Sequence, residues 1–246
     1  MKTRYFLFLS LLLAFLVFTG CSPNLNVKVA SDNTVSMQFV SLTGEELTKT
    51  FTALTGQQVG QIDTSSTKKA MREAGLTPIA ITQTGPDLQL TTGPDSIDSI
   101  LSDCPGTNTA TFAINSTPAN GTSFSLTLSP AVAQYIVSLL PEETASYSEL
   151  LMAPLFTGEI MSADEYTELI AAVYGQQLAD ELASSWFSLY LEMPGSVTSV
   201  SLPASLKANS VKNGNLANIF IPLSSLLTLS DAQSILVFFD KTKYTN

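Results

Sequence analysis

The order of two hydrophobic patterns along the chain limits its fold most strongly. Apolar and polar residues alternate in short segments up to Leu128, apolar residues recur at helical spacing over residues 130–185, and alternation returns at Trp186. Alternation predicts strands, and helical spacing predicts amphipathic helices. Strands and helices in separate runs favour an α+β fold. We therefore predict one α+β domain over residues 27–246, with an antiparallel sheet formed by both ends of the chain and the helical block 130–185 packed on it.

Local signals place the individual elements. Alternation predicts a first strand pair over residues 26–41, with its turn at Ser31-Asp32-Asn33. Ser162 and Glu165 have the spacing of a capping box, which predicts a long helix ending near Ser184. Further helices are predicted over residues 45–54, 67–74, 95–102 and 142–152, and from Pro130 and Pro222. Further strands are predicted over residues 77–83, 87–92, 109–114, 123–128, 186–192, 196–202, 218–221 and 235–239.

Residues 1–20 have the layout of a secretory signal peptide. Lys2 and Arg4 give a basic start, residues 6–18 are almost wholly apolar, and small residues lead to Cys21. The apolar run is short for a transmembrane helix, which needs about 20 residues. We therefore predict that residues 1–20 are removed.

The end of this segment, Thr19-Gly20-Cys21, resembles the lipobox of bacterial lipoproteins, although Phe18 stands where leucine is usual. In that family the cysteine is acylated and becomes the new N-terminus. The resemblance implies that Cys21 is the lipid attachment site, carrying diacylglycerol and palmitate, and that residues 21–26 form a lipidated tether. Two or more acyl chains anchor a protein stably. We therefore expect an extracytoplasmic protein of a bacterial cell envelope, held at a membrane by its N-terminal lipid.

The charge of the chain is strongly negative. It has 11 basic and 21 acidic residues and a formal net charge of −10. No lysine or arginine occurs between Arg72 and Lys207. Such a chain is poorly suited to neutralising phosphates, so we predict no nucleic-acid partner. The excess of acidic residues favours solubility, and membrane contact is expected from the lipid rather than from a basic patch.

Residues for familiar catalysis are missing from the sequence. The chain has no histidine, which removes the commonest general base and zinc ligand. Ser65 and Lys68 match the Ser-x-x-Lys spacing of penicillin-binding enzymes. The Ser-Asp-Asn element at residues 31–33 precedes them instead of following, however, and Ser65 is better explained as a helix cap. We predict no catalytic residue and no cofactor, with a Ser/Lys hydrolase as the alternative.

Two further sets of residues are candidates for metal binding and for disulfide formation. Asp95, Asp98 and Asp103 could supply oxygen ligands to calcium, but they lack the spacing of an EF-hand, so we predict no metal site. If Cys21 is acylated, Cys104 can form no disulfide within the chain. Cys104 is therefore predicted to be a core residue.

An apolar connector lies between two predicted helices. Its residues offer flexible methionine and aromatic side chains of the kind that line adaptable cavities. One interpretation is plain core, and the other is a lid over an apolar ligand. The ligand interpretation involves Leu151, Met152, Leu155, Phe156, Ile160 and Met161.

In layout the chain resembles the LppM-type family of bacterial lipoproteins. A lipidated cysteine precedes a strand pair, here residues 26–39, and the far end has a strand pair around Pro194-Gly195 with an apolar, proline-marked segment at 219–223. The resemblance implies a membrane-tethered domain that binds lipid or another apolar ligand, and it implies no catalytic residue.

The sequence therefore predicts a non-catalytic, membrane-anchored envelope lipoprotein that binds an apolar small molecule or an envelope protein. The first alternative is a structural or surface lipoprotein without a ligand.

Overall fold

The computed structural model describes residues 22–55, 64–85, 87–102, 104, 111–117, 121–138 and 152–240. The predicted signal peptide, Cys21, Asp103, Leu151 and nearly all of the helix predicted over residues 142–152 lie outside the described residues.

The described residues form twelve strands and seven α-helices. The strands are β1 (Asn24–Val29), β2 (Thr34–Ser41), β3 (Pro78–Thr84), β4 (Asp87–Thr92), β5 (Asp95–Ser96), β6 (Phe112–Thr117), β7 (Gly121–Leu128), β8 (Trp186–Glu192), β9 (Ser196–Ser201), β10 (Asn209–Asn213), β11 (Leu216–Pro222) and β12 (Gln233–Asp240). The helices are α1 (Glu45–Thr55), α2 (Thr64–Glu73), α3 (Pro130–Ser138), α4 (Ala153–Thr157), α5 (Ala163–Tyr174), α6 (Gln176–Ser184) and α7 (Leu223–Leu227).

The larger sheet joins both ends of the chain, and the predicted α+β class is confirmed. Its strand order is β10-β11-β8-β1-β2-β4-β3, with β5 paired to β2. β1 pairs with β2 in an antiparallel hairpin and with β8 in a parallel arrangement that aligns Asn24 with Ser188. The neighbouring pairs β8–β11 and β2–β4 are antiparallel. This parallel contact joins the early strands to the late ones, so the sheet formed by both ends of the chain is mixed and not antiparallel throughout as predicted.

The smaller sheet faces the larger one across the main core. Its order is β6-β7-β12-β9, all antiparallel. Alternate residues of both sheets form one buried cluster, which we call the main core. Val27, Leu191 and Ile219 supply the large sheet's side of it, and Phe124 and Val237 supply the small sheet's side. Burying such side chains contributes about 1.5–3 kcal/mol each, so this layer dominates stability.

A second, smaller group of buried side chains lies among the helices. It consists of Tyr166, Ile170, Leu178, Ala179 and Leu182, and we call it the helical cluster. Leu47 of α1 and Leu223 and Leu227 of α7 pack against it. The helical cluster therefore holds α5 and α6 against helices from distant parts of the chain.

Two side chains fix the ends of helices around this cluster. The Ser162 hydroxyl accepts a hydrogen bond from the Glu165 amide at 3.2 Å, while the Glu165 carboxylate accepts one from the Ser162 amide at 2.8 Å. This confirms the predicted capping box. The Glu181 carboxylate accepts the amides of Glu46 and Leu47, both at 2.9 Å, and so satisfies the start of α1 from α6.

Three features of the fold differ from the predicted elements. The predicted helix 95–102 is instead the short strand β5 followed by a 3-10 turn at Ile97–Ser99, because β5 pairs with Thr34 and Val35 of β2. The predicted long helix is broken into α5 and α6 at Gly175, whose φ of 99° is not helical. Strand β10 was not predicted.

The beginning of the domain also differs from the expected layout. β1 starts at Asn24, so residues 24–26 belong to the sheet although they were assigned to the tether. Ser22 is already held, since its amide donates to the carbonyl of Leu42 at 3.2 Å. Ser22, the residue after Cys21, is therefore already joined to the large sheet.

Candidate functional site

The residues of the predicted ligand lid do not lie together. Leu155 on α4 is 2% exposed and belongs to the main core, and Met152 and Phe156 pack against the same core. Met161 packs against the helical cluster, whereas Ile160 is 85% exposed. The described connector residues thus divide between two clusters and solvent.

A groove lies elsewhere, on the outer face of the large sheet. Its volume is about 360 Å³. Strands β1, β2, β4, β8 and β11 supply its lining, which consists of Asn26, Val27, Lys28, Ser36, Met37, Gln38, Thr91, Thr92, Tyr190, Leu191, Glu192 and Leu216. We call it the sheet groove.

Strand register explains why these residues meet. Asn26 of β1 is aligned with Gln38 of β2 on one side and with Tyr190 of β8 on the other. Gln38 is aligned in turn with Thr91 of β4. Side chains at aligned positions point to the same face of a sheet. Four strands therefore place amide, hydroxyl and phenol groups in one row, opposite the side that carries the main core.

The polar groups of this row are only weakly engaged with each other. The Asn26 side-chain amide donates to Gln38 Oε1 at 3.5 Å and to Asn24 Oδ1 at 3.4 Å. Both distances are long for a hydrogen bond, whose usual N–H···O separation is about 2.9–3.0 Å. These groups can therefore exchange their present contacts for better ones with a bound molecule.

An ion pair and an aromatic pair border the sheet groove. Lys28 Nζ lies 3.0 Å from a carboxylate oxygen of Glu192, with both side chains largely in solvent. The rings of Tyr190 and Phe220 meet edge to face, with centroids 6.3 Å apart. The groove thus offers a balanced charge pair, neutral hydrogen-bonding groups and one aromatic surface.

The residues weighed for catalysis lie apart from this groove. Ser65 is exposed on α2, where Lys68 is half-buried one turn later. Residues 31–33 form the tight connection between β1 and β2. There the Asp32 carboxylate accepts the Thr34 hydroxyl at 2.7 Å and the Thr34 amide at 3.0 Å, and these hydrogen bonds lower the pKa of Asp32. Asp32 thus serves the hairpin.

The acidic group weighed for calcium is divided as well. Asp95 is buried, and its two carboxylate oxygens accept the Thr77 amide at 3.0 and 3.1 Å. Asp98 is exposed on the following turn. Within the described ranges, no three acidic, cysteine or histidine residues gather as metal ligands would.

Cys104 is buried, as predicted. Its thiol approaches the carbonyl of Ala131 in α3, at 3.7 Å. In the part of the chain that the structure describes, none of the helices combines the length and apolar character needed to span a bilayer.

The fold and the groove together define a two-sheet α+β domain with an open groove on the outer face of its large sheet. Neither a protein-family model nor a curated protein matches the chain. Among solved structures, the chain is similar to the NMR structure of the folded domain of LppM from Mycobacterium tuberculosis. That likeness has 8% sequence identity and a TM-score of 0.37, covering 93% of this chain and 96% of the LppM domain. So weak a likeness assigns neither family nor function.

Proposed function

We propose that this protein is a lipid-anchored, non-catalytic binding protein of a bacterial cell envelope, and that the sheet groove holds a partner protein. The observation that carries the proposal is the uncovered outer face of the large sheet. Its opposite face is closed by the main core, whereas Asn26, Gln38 and Tyr190 stay half-exposed and the hydrogen bond between Asn26 and Gln38 is long, at 3.5 Å. The lipobox-type sequence at Cys21 supplies the anchor.

The open shape of the groove favours a protein partner over an apolar small molecule. Small-molecule sites are concave and bury most of the ligand's surface. The sheet groove is open, its exposed lining is mostly apolar, and its row of aligned side chains adds amide and hydroxyl groups. Neutral polar groups around an aromatic anchor are typical of the surfaces that proteins present to one another. The apolar connector side chains Met152, Leu155 and Phe156 are already engaged by the main core.

Site-specific crosslinking in living cells tests this proposal. A photoreactive phenylalanine analogue is placed at Gln38 in the full chain, and separately at Ser210. Ser210 is the matched control because it lies on the exposed edge strand β10 of the same sheet. We expect Gln38 to yield a discrete protein adduct that is lost when Tyr190 is also changed to alanine.

Three outcomes of the crosslinking would contradict the partner assignment. These are an adduct to lipid alone, equal adducts from Gln38 and Ser210, and an adduct from Gln38 that survives Tyr190→Ala. Mass spectrometry of the adduct separates lipid from protein.

The anchor is tested independently at Cys21. The Cys21→Ser variant should leave the membrane fraction, while the parent chain should stay there and yield an acylated N-terminal peptide beginning at residue 21. An unmodified Cys21 in membrane-bound protein would contradict the lipid anchor.

A further inference from the structure

The large sheet ends in a row of side chains next to the predicted lipid. Pro222 of β11 is aligned with Trp186 of β8. The parallel alignment of Asn24 with Ser188, continued by two residues, brings Trp186 beside Ser22. On the other side the Ser22 amide donates to the Leu42 carbonyl at 3.2 Å. One end of the sheet thus runs through Pro222, Trp186, Ser22 and Leu42.

The two large apolar side chains of this row are open to solvent. Trp186 is 39% exposed and Leu42 is 44% exposed. Trp186 also shares its face with Tyr190, since residues two apart along a strand point to the same side. Large apolar side chains left exposed at the same end of a sheet favour a contact that covers them.

The position of Cys21 in the sequence points to a membrane as the surface that covers these two side chains. Cys21 directly precedes Ser22, and consecutive Cα atoms are about 3.8 Å apart. Trp186 and Leu42 lie on the two strands flanking Ser22, and neighbouring strands are about 4.8 Å apart. The polar layer of each leaflet is roughly 5–8 Å thick. Because Ser22 is hydrogen-bonded to Leu42 and only one residue separates it from the proposed lipid, no room is left for a spacer between this row and the headgroups.

We infer that Trp186 and Leu42 rest in the headgroup layer of the membrane that holds Cys21, so that the domain stands on this end of its large sheet. The inference rests on the lipid anchor proposed above. Tryptophan suits this layer because its ring is apolar and its N–H can still reach water or headgroups.

The charges near this row allow such a contact. Glu45 and Glu46 begin α1 just beyond Leu42, and Lys49 pairs with both, each at 2.7 Å. Asp87 also lies here, since its carboxylate accepts the Thr43 amide at 3.1 Å, and Glu181 accepts the Glu46 and Leu47 amides at 2.9 Å. One lysine and these backbone amides thus offset the acidic groups only in part. Attraction to the bilayer then comes from apolar contact and the acyl chains rather than from charge.

The test uses the fluorescence of Trp186, the chain's single tryptophan. The full lipid-modified protein is reconstituted into vesicles of phosphatidylcholine and phosphatidylglycerol, with or without bromine atoms on the upper acyl chain. Bromine quenches tryptophan only at close range. We expect loss of emission in the brominated vesicles and a blue shift of the emission relative to the Cys21→Ser variant in solution.

A second reporter position supplies the control. In the double variant Trp186→Phe/Leu216→Trp, the tryptophan moves to a position aligned with Glu192, six residues along β8 and about 20 Å farther from the anchor. Leu216 is 40% exposed, so a larger ring can be accommodated there. This reporter should be equally bright in both kinds of vesicle.

The outcomes separate the inference from the proposed function. A chain that sediments with the vesicles while Trp186 stays unquenched overturns the membrane contact alone. Equal quenching at positions 186 and 216 overturns it too, because the domain would then have no fixed orientation. A chain that stays in the supernatant overturns the lipid anchor and this inference with it.

Discussion

The main core and the helical cluster differ in how the chain assembles them. The main core gathers side chains from β1 near the beginning of the domain to β12 near its end, and two sheets enclose it. The five buried residues of the helical cluster all lie between Tyr166 and Leu182, with a few neighbours from α1 and α7. We therefore expect the two regions to differ in local stability, because a small local cluster can unfold while a large non-local core stays folded.

The largest effect is expected in the main core. Leu191 is 1% exposed, and Leu191→Ala removes most of a buried side chain. We expect the free energy of unfolding in urea to fall by about 2–5 kcal/mol. The unfolding should remain a single transition, since this core joins both sheets.

The control for Leu191 is Leu216→Ala on the outer side of the neighbouring strand. It should change the free energy of unfolding by less than about 0.5 kcal/mol, because an exposed side chain contributes little. Similar losses for both variants would show that the two faces of the sheet are not distinct.

A smaller effect is expected where the helical cluster is tied to α1. Glu181→Ala leaves the amides of Glu46 and Leu47 without their present acceptor, which should cost about 1–3 kcal/mol. Hydrogen exchange should accelerate in α1, α5 and α6 and stay slow in β8. Gly44→Ala should have a related effect, because a Cβ at this position would overlap the Glu181 carboxylate.

The neighbouring acid serves as the matched control for Glu181. Asp180 accepts an exposed hydrogen bond from Gln176 of its own helix at 2.8 Å, so Asp180→Ala should leave exchange in α1 unchanged. Faster exchange throughout the main core in Glu181→Ala would contradict the idea that the cluster opens separately.

The capping box at the start of α5 should matter less. Ser162→Ala removes the oxygen that accepts the Glu165 amide, and we expect a loss of about 1 kcal/mol. Ser162→Asp should restore most of this loss, because a carboxylate also caps a helix start. A Ser162→Asp variant as unstable as Ser162→Ala would show that the loss has another cause.

The smallest effect should appear only at alkaline pH. Burial in the helical cluster, with a contribution from Tyr174, raises the pKa of Tyr166 well above its ordinary value. The native state then holds the Tyr166 proton more tightly than the unfolded state. Its contribution to stability is complete below pH 10, near the ordinary tyrosine pKa, and is lost as the pH rises toward the native pKa.

Comparing the parent chain with Tyr166→Phe measures this dependence. Each free energy of unfolding is taken relative to that variant's own value at pH 7. The parent should lose more stability than Tyr166→Phe between pH 9 and pH 11, since phenylalanine cannot ionise. Identical pH profiles would refute the assignment to Tyr166.

Local sequence signals predicted most strands, because each one buries a single face and therefore alternates. They also predicted the Ser162–Glu165 capping box, whose two partners are only three residues apart. They failed at residues 95–102, where Asp95 accepts the distant Thr77 amide and β5 pairs with β2. They failed at β10 because all five of its residues are exposed, which leaves no apolar alternation to detect.

The sheet groove could not be predicted from the sequence, because it also depends on contacts between distant segments. Asn26, Gln38 and Tyr190 look like ordinary solvent-facing residues of three separate strands. They become neighbours only through the register between those strands, and the register cannot be predicted from the sequence of any one strand. The polar positions of each alternating segment indicated which residues face away from the core, but they did not indicate which strands would be neighbours.

The parallel contact between β1 and β8 also sets an order of events in folding. β1 can pair with β2 early, because the hairpin is local. Its other edge has no strand to pair with until the chain up to Glu192 is present, and such distant pairing is slow. An unpaired strand edge invites association with other chains. The hairpin of β1 and β2 is therefore the segment most in need of protection between synthesis of the chain and completion of the sheet.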